Sequence, residues 1–534
     1  MPVFSYTGHI MIAKIIKKVY LVGIGGIGIS ALARYFLSEG WQVSGSDLSP
    51  SDTTKELQKE GVKVYIGKHS EKNLKSFVEF TLSKSNGLRT TSETLVVYNQ
   101  AIQENNPELL AAKKLGIPCQ TYPEAVGELT KKYKTIAIAG SHGKSTTTAL
   151  VSLMLIAAGF DPMVIIGTKL KEFSPGVLAR SPGVSRGRRG NLPSMGSPLR
   201  QLADRDDSYG VNFRKGKSPS TTANAGQASS GQDAWLVLEA DEWKASFLNY
   251  SPTLAIITNI DKEHLDFYKT FTNVKRSFQK FIKNILPDGT LFINGDHSNV
   301  LKNIRMRPST VIFSESNRVA EKIKKVLQVP GRHNVLNALA AYSVGRYLKI
   351  PEKIILKALS EYRGAWRRME YRGKFKIKNL KLKISVYDDY AHHPTEIKAT
   401  LAGLKEKYPK NAIICVFQAH QAQRLKLLFK DFKTAFKDAD RVIILPTYEV
   451  AGRENAVIGN SKLVIGKTSE KLAKAIGATY VKNPKRELKK VLKTLLAKTL
   501  PTGRQAYWLN PIIVMMGAGD IVNLTDFLIV KQHP

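Results

Sequence analysis

Short, almost wholly apolar runs separated by longer mixed stretches set the rhythm of this chain. Val19-Tyr20-Leu21-Val22, Thr135-Ile136-Ala137-Ile138-Ala139, Trp235-Leu236-Val237-Leu238 and Leu254–Thr258 are strand-length and lead directly into polar or glycine-rich text. Runs of this kind are strands buried on both faces, as in a parallel sheet. The run after Thr148 continues apolar to Leu155 and predicts a helix, as does Val335–Leu348. From Arg363 onward, Ile384–Tyr387, Ile413–Phe417, Val442–Leu445 and Ile512–Met516 alternate with helical text, which predicts a further parallel α/β domain. Two segments break the rhythm, residues 178–232 and Thr499–Trp508. The first is rich in Ser, Gly, Pro, Arg and Asn and has too little apolar surface to offset ordering entropy, so it is expected to be a disordered insertion.

The polar text at the strand ends carries the chemistry. Val19–Val22 runs into Gly23-Ile24-Gly25-Gly26-Ile27-Gly28, then a helix through Phe36, then a second strand ending at Ser46-Asp47. Glycines there permit a tight turn and close approach to a diphosphate, and Asp47 is placed to bond a ribose or uracil edge. Thr135–Ala139 runs into Gly140-Ser141-His142-Gly143-Lys144-Ser145-Thr146-Thr147-Thr148. Backbone N–H groups, a helix N-terminus and Lys144 together cradle phosphates, and Ser145 or Thr146 offers a hydroxyl to Mg²⁺. Only two residues separate Gly140 from Gly143, so the strict phosphate-loop spacing is not met. Strand before and helix after still point to a nucleoside triphosphate.

Three acids, Glu239, Asp241 and Glu242, close the strand at Trp235, and Asn259 to Asp266 follow the strand at Leu254. Two acidic strand ends after a phosphate loop suit a nucleotide–metal site, with His264 as metal ligand or phosphate donor. Gly331-Arg332-His333-Asn334 precedes the helix at Val335, with Asn334 as its expected cap. Arg367-Arg368, the cluster Asp388-Asp389-Tyr390-Ala391-His392-His393-Pro394, and His420 with Arg424 lie at further strand ends. No Cys or third His follows at ligand spacing, so zinc is not indicated.

Composition narrows the setting. A chain of 534 residues needs two or three cores. Two distant cysteines, Cys119 and Cys415, offer no disulfide framework and fit a reducing cytoplasm, and no apolar stretch reaches membrane length. The net charge of +37 raises nucleic acid as a partner, but the lysines are spread along helices without interleaved aromatics. A generally basic proteome together with anionic substrates is the preferred explanation.

These blocks, in this order, resemble the Mur ligase family. The resemblance rests on Gly23–Gly28, Gly140–Thr148, Glu239–Glu242 with Ala245–Leu248, Thr258–Ile260 with His264–Tyr268, and Pro330–Asn334. It rests further on Arg367-Arg368, Asp388–Glu396, Phe417-Gln418 with His420, and Gly517–Ile521. It implies an α/β protein of three domains: a Rossmann-like UDP-sugar domain over residues 1–130, a central P-loop ATPase-type domain over 131–362, and a Rossmann-like C-terminal domain over 363–534. It implies that ATP phosphorylates the lactyl carboxylate of UDP-N-acetylmuramate and that the amine of L-alanine attacks the acyl phosphate. Gly23, Gly25, Gly26, Gly28, Ser46, Asp47 and His69 would hold the UDP-sugar. Gly140, Ser141, His142, Gly143, Lys144, Ser145, Thr146, Asn334, Arg368 and Asp388 would hold ATP, and Ser145, Glu239 and His264 would hold Mg²⁺. Lys144, His264, His392 and Arg367 would be catalytic, with His393 beside His392. Departures from the family pattern are Ser141, Ser145, Lys244, the run Tyr98-Asn99-Gln100, Ala419-His420-Gln421, and a short segment between Ser314 and Val329. Recycling of a murein tripeptide by a sister enzyme, and a non-catalytic nucleic-acid-associated protein on the same fold, remain the alternatives. Oligomeric state and the choice among Ala, Gly and Ser are not legible.

Overall fold

A computed structural model describes residues 18–82, 94–170, 173, 212–216, 234–376, 383–448, 462–498 and 510–529. The chain forms two compact units. One comprises the chain to Asp261 with Thr272–Phe313 and Ala340–Ala358, and the other comprises Lys262–Phe271, Ser314–Leu339 and Leu359 onward. Among the described residues no helix is long and apolar enough to cross a membrane.

The first unit holds two sheets. Its N-terminal sheet contains β1 (Lys18–Val22), β2 (Gln42–Asp47), β3 (Lys63–Ile66), β4 (Thr94–Tyr98) and β5 (Cys119–Thr121), in the order β3-β2-β1-β4-β5. Every pairing is parallel, so successive strands must be joined by crossovers such as the helix Ile27–Ser38. The order reverses beside β1, which places the glycine turn after Val22 where open α/β sheets bind ligands. The central sheet contains β6 (Lys134–Ala139), β7 (Met163–Ile165), β8 (Phe213–Arg214), β9 (Trp235–Glu239), β10 (Leu254–Ile257), β11 (Thr290–Asn294) and β12 (Thr310–Phe313). Its order is β12-β11-β10-β6-β9-β7-β8. The strand that feeds the phosphate loop is therefore central, between β10 and β9, and all three are buried.

The second unit carries β13 (Glu370–Phe375), β14 (Ile384–Asp389), β15 (Ile413–His420), β16 (Arg441–Tyr448), β17 (Thr479–Tyr480) and β18 (Ile512–Met516), in the order β13-β14-β18-β15-β16-β17. The sheet is parallel apart from β13, an antiparallel edge strand. Two apolar layers cover its faces. Phe417, Leu401 and Phe432 lie in one, and Phe375, Leu492 and Met515 in the other.

Most of the expected insertion, 178–211 and 217–232, and the expected interruption 499–508 up to residue 509 lie outside the described residues. Residues 212–216 do not, and here the expectation of a structureless stretch is corrected. Phe213–Arg214 pairs antiparallel with β7, and Asn212 is 2 % exposed. Asn212 Oδ1 accepts from Arg34 Nη1 at 2.6 Å, while Arg34 also forks onto Glu60 at 2.8–3.0 Å. A single polar residue followed by Phe-Arg gives no periodicity to read, so tertiary partners decide the strand. The short segment after Ser314 contains a helix, Val319–Val326.

Candidate active site

In the first unit the phosphate loop is closed by contacts from the strand end at Thr258. Gly140 has φ 140°, and a Cβ on it would lie 2.0 Å from Thr258 Oγ1, so only glycine fits. Thr258 Oγ1 donates to His142 O at 2.6 Å, and Asn259 Oδ1 accepts from His142 N at 2.8 Å. His142 Nε2 lies 3.2 Å from Asp261 Oδ2, and Ser141 Oγ accepts from Asp261 N at 2.9 Å. Gly143, φ 82°, precedes the helix Lys144–Ala157, whose opening residues Ser145 and Thr146 are buried.

Lys144 Nζ sits 2.8 Å from Glu242 Oε2 and donates to Gly140 O at 2.7 Å. Burial alone would lower its pKa, but Glu242 and Asp241 outweigh burial and hold it above the usual lysine range. Glu239 Oε1 accepts from Ser145 Oγ at 2.9 Å, and its Oε2 accepts from Gly167 N at 2.7 Å. Burial raises the Glu239 carboxyl against the pull of Lys144 and these donors. Burial raises Glu242 to about 7, with Asp241 adding to the shift and Lys144 opposing it. One lysine thus faces three acids, an excess of negative charge that a cation would relieve. Glu239 and Ser145, both hard oxygen donors, suit Mg²⁺.

The glycine turn is equally determined. Gly23, φ 78°, donates to Ser46 O at 2.8 Å. Gly25 N donates to Asp47 Oδ2 at 2.9 Å, where a Cβ would fall 2.8 Å from that oxygen. Asp47 therefore holds the turn with the carboxylate that sequence reasoning aimed at a ribose or uracil. A Cβ on Gly26 would lie 3.0 Å from Asn99 Nδ2, and one on Gly28 2.9 Å from Tyr122 Cζ. Sequence reasoning missed Glu108. Its fully buried carboxylate accepts from Ser46 Oγ at 2.5 Å, Asn73 Nδ2 at 2.8 Å and Tyr20 Oη at 3.1 Å, with His69 Nδ1 at 3.0 Å. Burial opposes ionisation, yet His69, Ser46 and Asn73 bring the carboxyl below its ordinary value. Only its place in the first helical turn after Asn106-Pro107 was readable. Two departures from the family pattern touch each other, since Lys244 Nζ donates to Gln100 O at 2.7 Å.

In the second unit Glu263 and Arg424 form a buried pair at 3.0 Å, and His264 follows in left-handed backbone, φ 53°. Burial works against the Glu263 carboxylate, but Arg424, His393, His264 and His392 hold it well below the usual range. A pocket beside this pair is lined by His264, Asp266, Gln421, Gln423 and Arg424. His392 Nδ1 lies 3.1 Å from Tyr390 O and 3.3 Å from Glu396 Oε2. Burial, then Arg424, lowers His392 to about 4, so it is neutral at pH 7. His393 Nδ1 accepts from Thr395 N at 3.3 Å and caps the helix Pro394–Lys407.

Arg367 is 3 % exposed, with φ 56°. Its guanidinium donates to Gly517 O and, at 3.1 Å, to Gly519 O. Arg368 reaches Glu396 at 3.5 Å and covers the Tyr390 ring. Asp388 Oδ2 pairs with Arg372 at 2.7 Å, yet burial still raises its carboxyl to about 7. Asn334 does not cap its helix, which begins at Arg332; its Nδ2 donates to Pro330 O at 2.7 Å.

Residues 18–134 match the Mur ligase family, catalytic domain; 227–345 the Mur ligase middle domain; and 367–518 the Mur ligase, glutamate ligase domain. The chain is 34% identical to UDP-N-acetylmuramate–L-alanine ligase of Aquifex aeolicus, over 96% of this chain and 97% of that one. It is 36% identical to the Clostridium kluyveri protein of the same name, over 84% and 87%. The fold matches the crystal structure of UDP-N-acetylmuramate–alanine ligase from Thermotoga maritima, with a TM-score of 0.62 at 24% identity over 96% of this chain and 98% of that one. With its three sheets, its phosphate loop and these matches along its length, the chain belongs to the Mur ligase family of ATP-dependent ligases.

Proposed function

We propose that this protein joins L-alanine to UDP-N-acetylmuramate with hydrolysis of ATP, in cytoplasmic synthesis of the peptidoglycan precursor. One observation carries the reading. A phosphate loop and an acid-bearing strand end share one sheet, in a chain 34% identical over 96% of its length to a UDP-N-acetylmuramate–L-alanine ligase. The working division keeps residues 1–130 for the UDP-sugar, 131–362 for ATP and 363–534 for the C-terminal domain.

The reaction has two displacements. A lactyl carboxylate oxygen attacks the γ-phosphorus and ADP leaves; the alanine nitrogen then attacks the acyl carbon and phosphate leaves. Lys144 and the N–H groups of Gly140–Thr146 offset charge on the transferring phosphoryl. To do so, Lys144 exchanges Glu242 for phosphate oxygens. Mg²⁺, held by Ser145 and Glu239, would neutralise phosphate oxygens when bound. His392 and His393 keep their places near the acyl phosphate and the incoming amine, as roles taken from the resemblance. Arg367 positions the Gly517–Gly519 loop through its two carbonyl contacts. Asn334, Arg368 and Asp388 keep their assignment to ATP, and His264 to the metal, as roles taken from the resemblance.

The test is phosphate release with UDP-N-acetylmuramate, ATP and a panel of L-alanine, glycine, L-serine and a murein tripeptide. Release with L-alanine and none with the tripeptide is expected. Release with the tripeptide alone would assign the recycling reaction instead.

A further inference from the structure

Tyr122 is a residue to which neither the motifs nor the family resemblance gave a role. It opens the helix Tyr122–Thr130, and its backbone is fixed by a capping box. Thr121 Oγ1 accepts from Glu124 N at 3.4 Å, and Glu124 Oε2 accepts from Thr121 N at 2.7 Å. Further along, the helix is clamped to the segment that follows the acids of β9. A Cβ on Gly127 would lie 2.6 Å from Asn249 O, and Thr130 Oγ1 accepts from Ser251 N at 3.1 Å. The phenol end lies over the glycine turn, where a Cβ on Gly28 would fall 2.9 Å from Cζ and 3.1 Å from the hydroxyl oxygen. Among the described residues the hydroxyl has no hydrogen-bond partner. Glu239 and Asp241 are within electrostatic reach, and with burial they keep the phenol protonated.

This hydroxyl therefore stands beside Gly28, at the end of the glycine turn. We infer that Tyr122 donates a hydrogen bond to an anionic oxygen of the diphosphate of the UDP-linked substrate at the Gly23–Gly28 turn. The inference rests on the function proposed above. A neutral donor suits the position better than a cation would. A lysine or arginine beside Glu239 and Asp241 would be drawn into an ion pair, as Lys144 is with Glu242. A phenol cannot be captured in that way and keeps its proton for the ligand. Its ring also walls the turn at Gly28, so the donor cannot swing away without opening the contact. Tyr122 is thus a specificity-determining contact to the UDP-sugar.

The experiment compares wild type, Tyr122→Phe and Tyr122→His by calorimetric titration with UDP-N-acetylmuramate in the absence of ATP, and by steady-state phosphate release. Phenylalanine keeps the ring over Gly28 and removes only the donor. Its Kd and KM for UDP-N-acetylmuramate should rise about tenfold, the effect of one lost hydrogen bond to a charged group. Its KM for ATP should stay within about twofold, which also shows that the variant is folded. Histidine, which keeps a ring donor, should lie between the two. A Kd for Tyr122→Phe equal to wild type, or an equal rise in the KM for ATP, would overturn the assignment. If wild type itself does not bind UDP-N-acetylmuramate, the proposed function falls and this inference with it. If wild type binds and the phenylalanine variant binds as well, the inference alone falls.

Discussion

Glu242 in the first unit and Glu263 in the second are the same residue type, and both are nearly fully buried. Their carboxyls nevertheless move in opposite directions. Glu242 faces a single lysine and a neighbouring acid and rises to about 7. Glu263 faces Arg424 with three histidines around it and falls well below its ordinary value. Burial disfavours the charged form in both places, so the sign is set by the surplus of neighbouring charge. The acids after β9 outnumber their cation, Lys144. Around Glu263 it is Arg424, at 3.0 Å, that leads in keeping the buried carboxylate ionised. A buried charge read alone does not give the direction; its company does.

The sharpest way to break this comparison is to remove the cation of the acidic cluster. Lys144→Ala should lower phosphate release by on the order of 10²–10³-fold. Near-normal turnover would remove Lys144 from phosphoryl transfer. Next in size is Glu263→Gln, which leaves Arg424 buried beside an uncharged amide. It should cost about 3 kcal/mol in denaturant unfolding, and a shift below about 0.5 kcal/mol would mean that the pair is solvated. Glu239→Gln removes a hard, charged oxygen from the acidic cluster. The Mg²⁺ needed for half-maximal activity should rise about tenfold or more, and an unchanged titration would take Glu239 out of the metal site.

The smallest effect tests the sign directly. For Glu242 the folded value of about 7 lies above the ordinary 4.5, so its contribution is fully present below pH 4.5 and lost as pH rises through 7. For Glu263 the folded value lies below 4.5, so its contribution is present above that pH and lost as pH falls. Relative to Glu242→Gln, wild type should lose stability as pH rises from 4.5 to 7. Relative to Glu263→Gln, it should lose stability as pH falls below 4.5. Unfolding midpoints across that range that trend the same way for both pairs would dissolve the contrast.

Apolar runs located the sheets well because a strand buried on both faces carries its signal in its own residues. β18 spans Ile512–Met516, as the run itself does. β15 runs three residues past the expected Phe417, because Gln418–His420 keep pairing with β16 although their side chains are no longer uniformly apolar. The helix at Arg332 starts before the expected Val335, since Gly331 at φ 99° opens it and polar residues there favour neither state. At the site, residue types and order located the glycine loop between its strand and helix and the acids at the end of the neighbouring strand. The partners were not readable. Lys144 meets Glu242 across 98 residues and Tyr20 meets Glu108 across 88, separations at which no local pattern survives. Asp47 shows a further limit: that its carboxylate accepts from Gly25 N within the turn could not be read from the residue type.

The cross-links between the phosphate loop and Thr258–Asn259 have a consequence for biosynthesis. The loop is emitted from the ribosome early, yet β6 needs β10 as a neighbour, and Gly140 and His142 need Thr258 and Asn259 to hold their shape. More than 110 residues separate these partners, and contacts so distant in sequence form late because chain entropy must be lost first. At ribosomal speeds of roughly 5–20 residues per second, several seconds pass in which a nascent chain has the residues of a nucleotide cradle without the cradle. Until Asn259 clears the exit tunnel, β6 is an apolar strand with an open edge, and that interval is when a chaperone or a neighbouring chain has its opportunity to bind it.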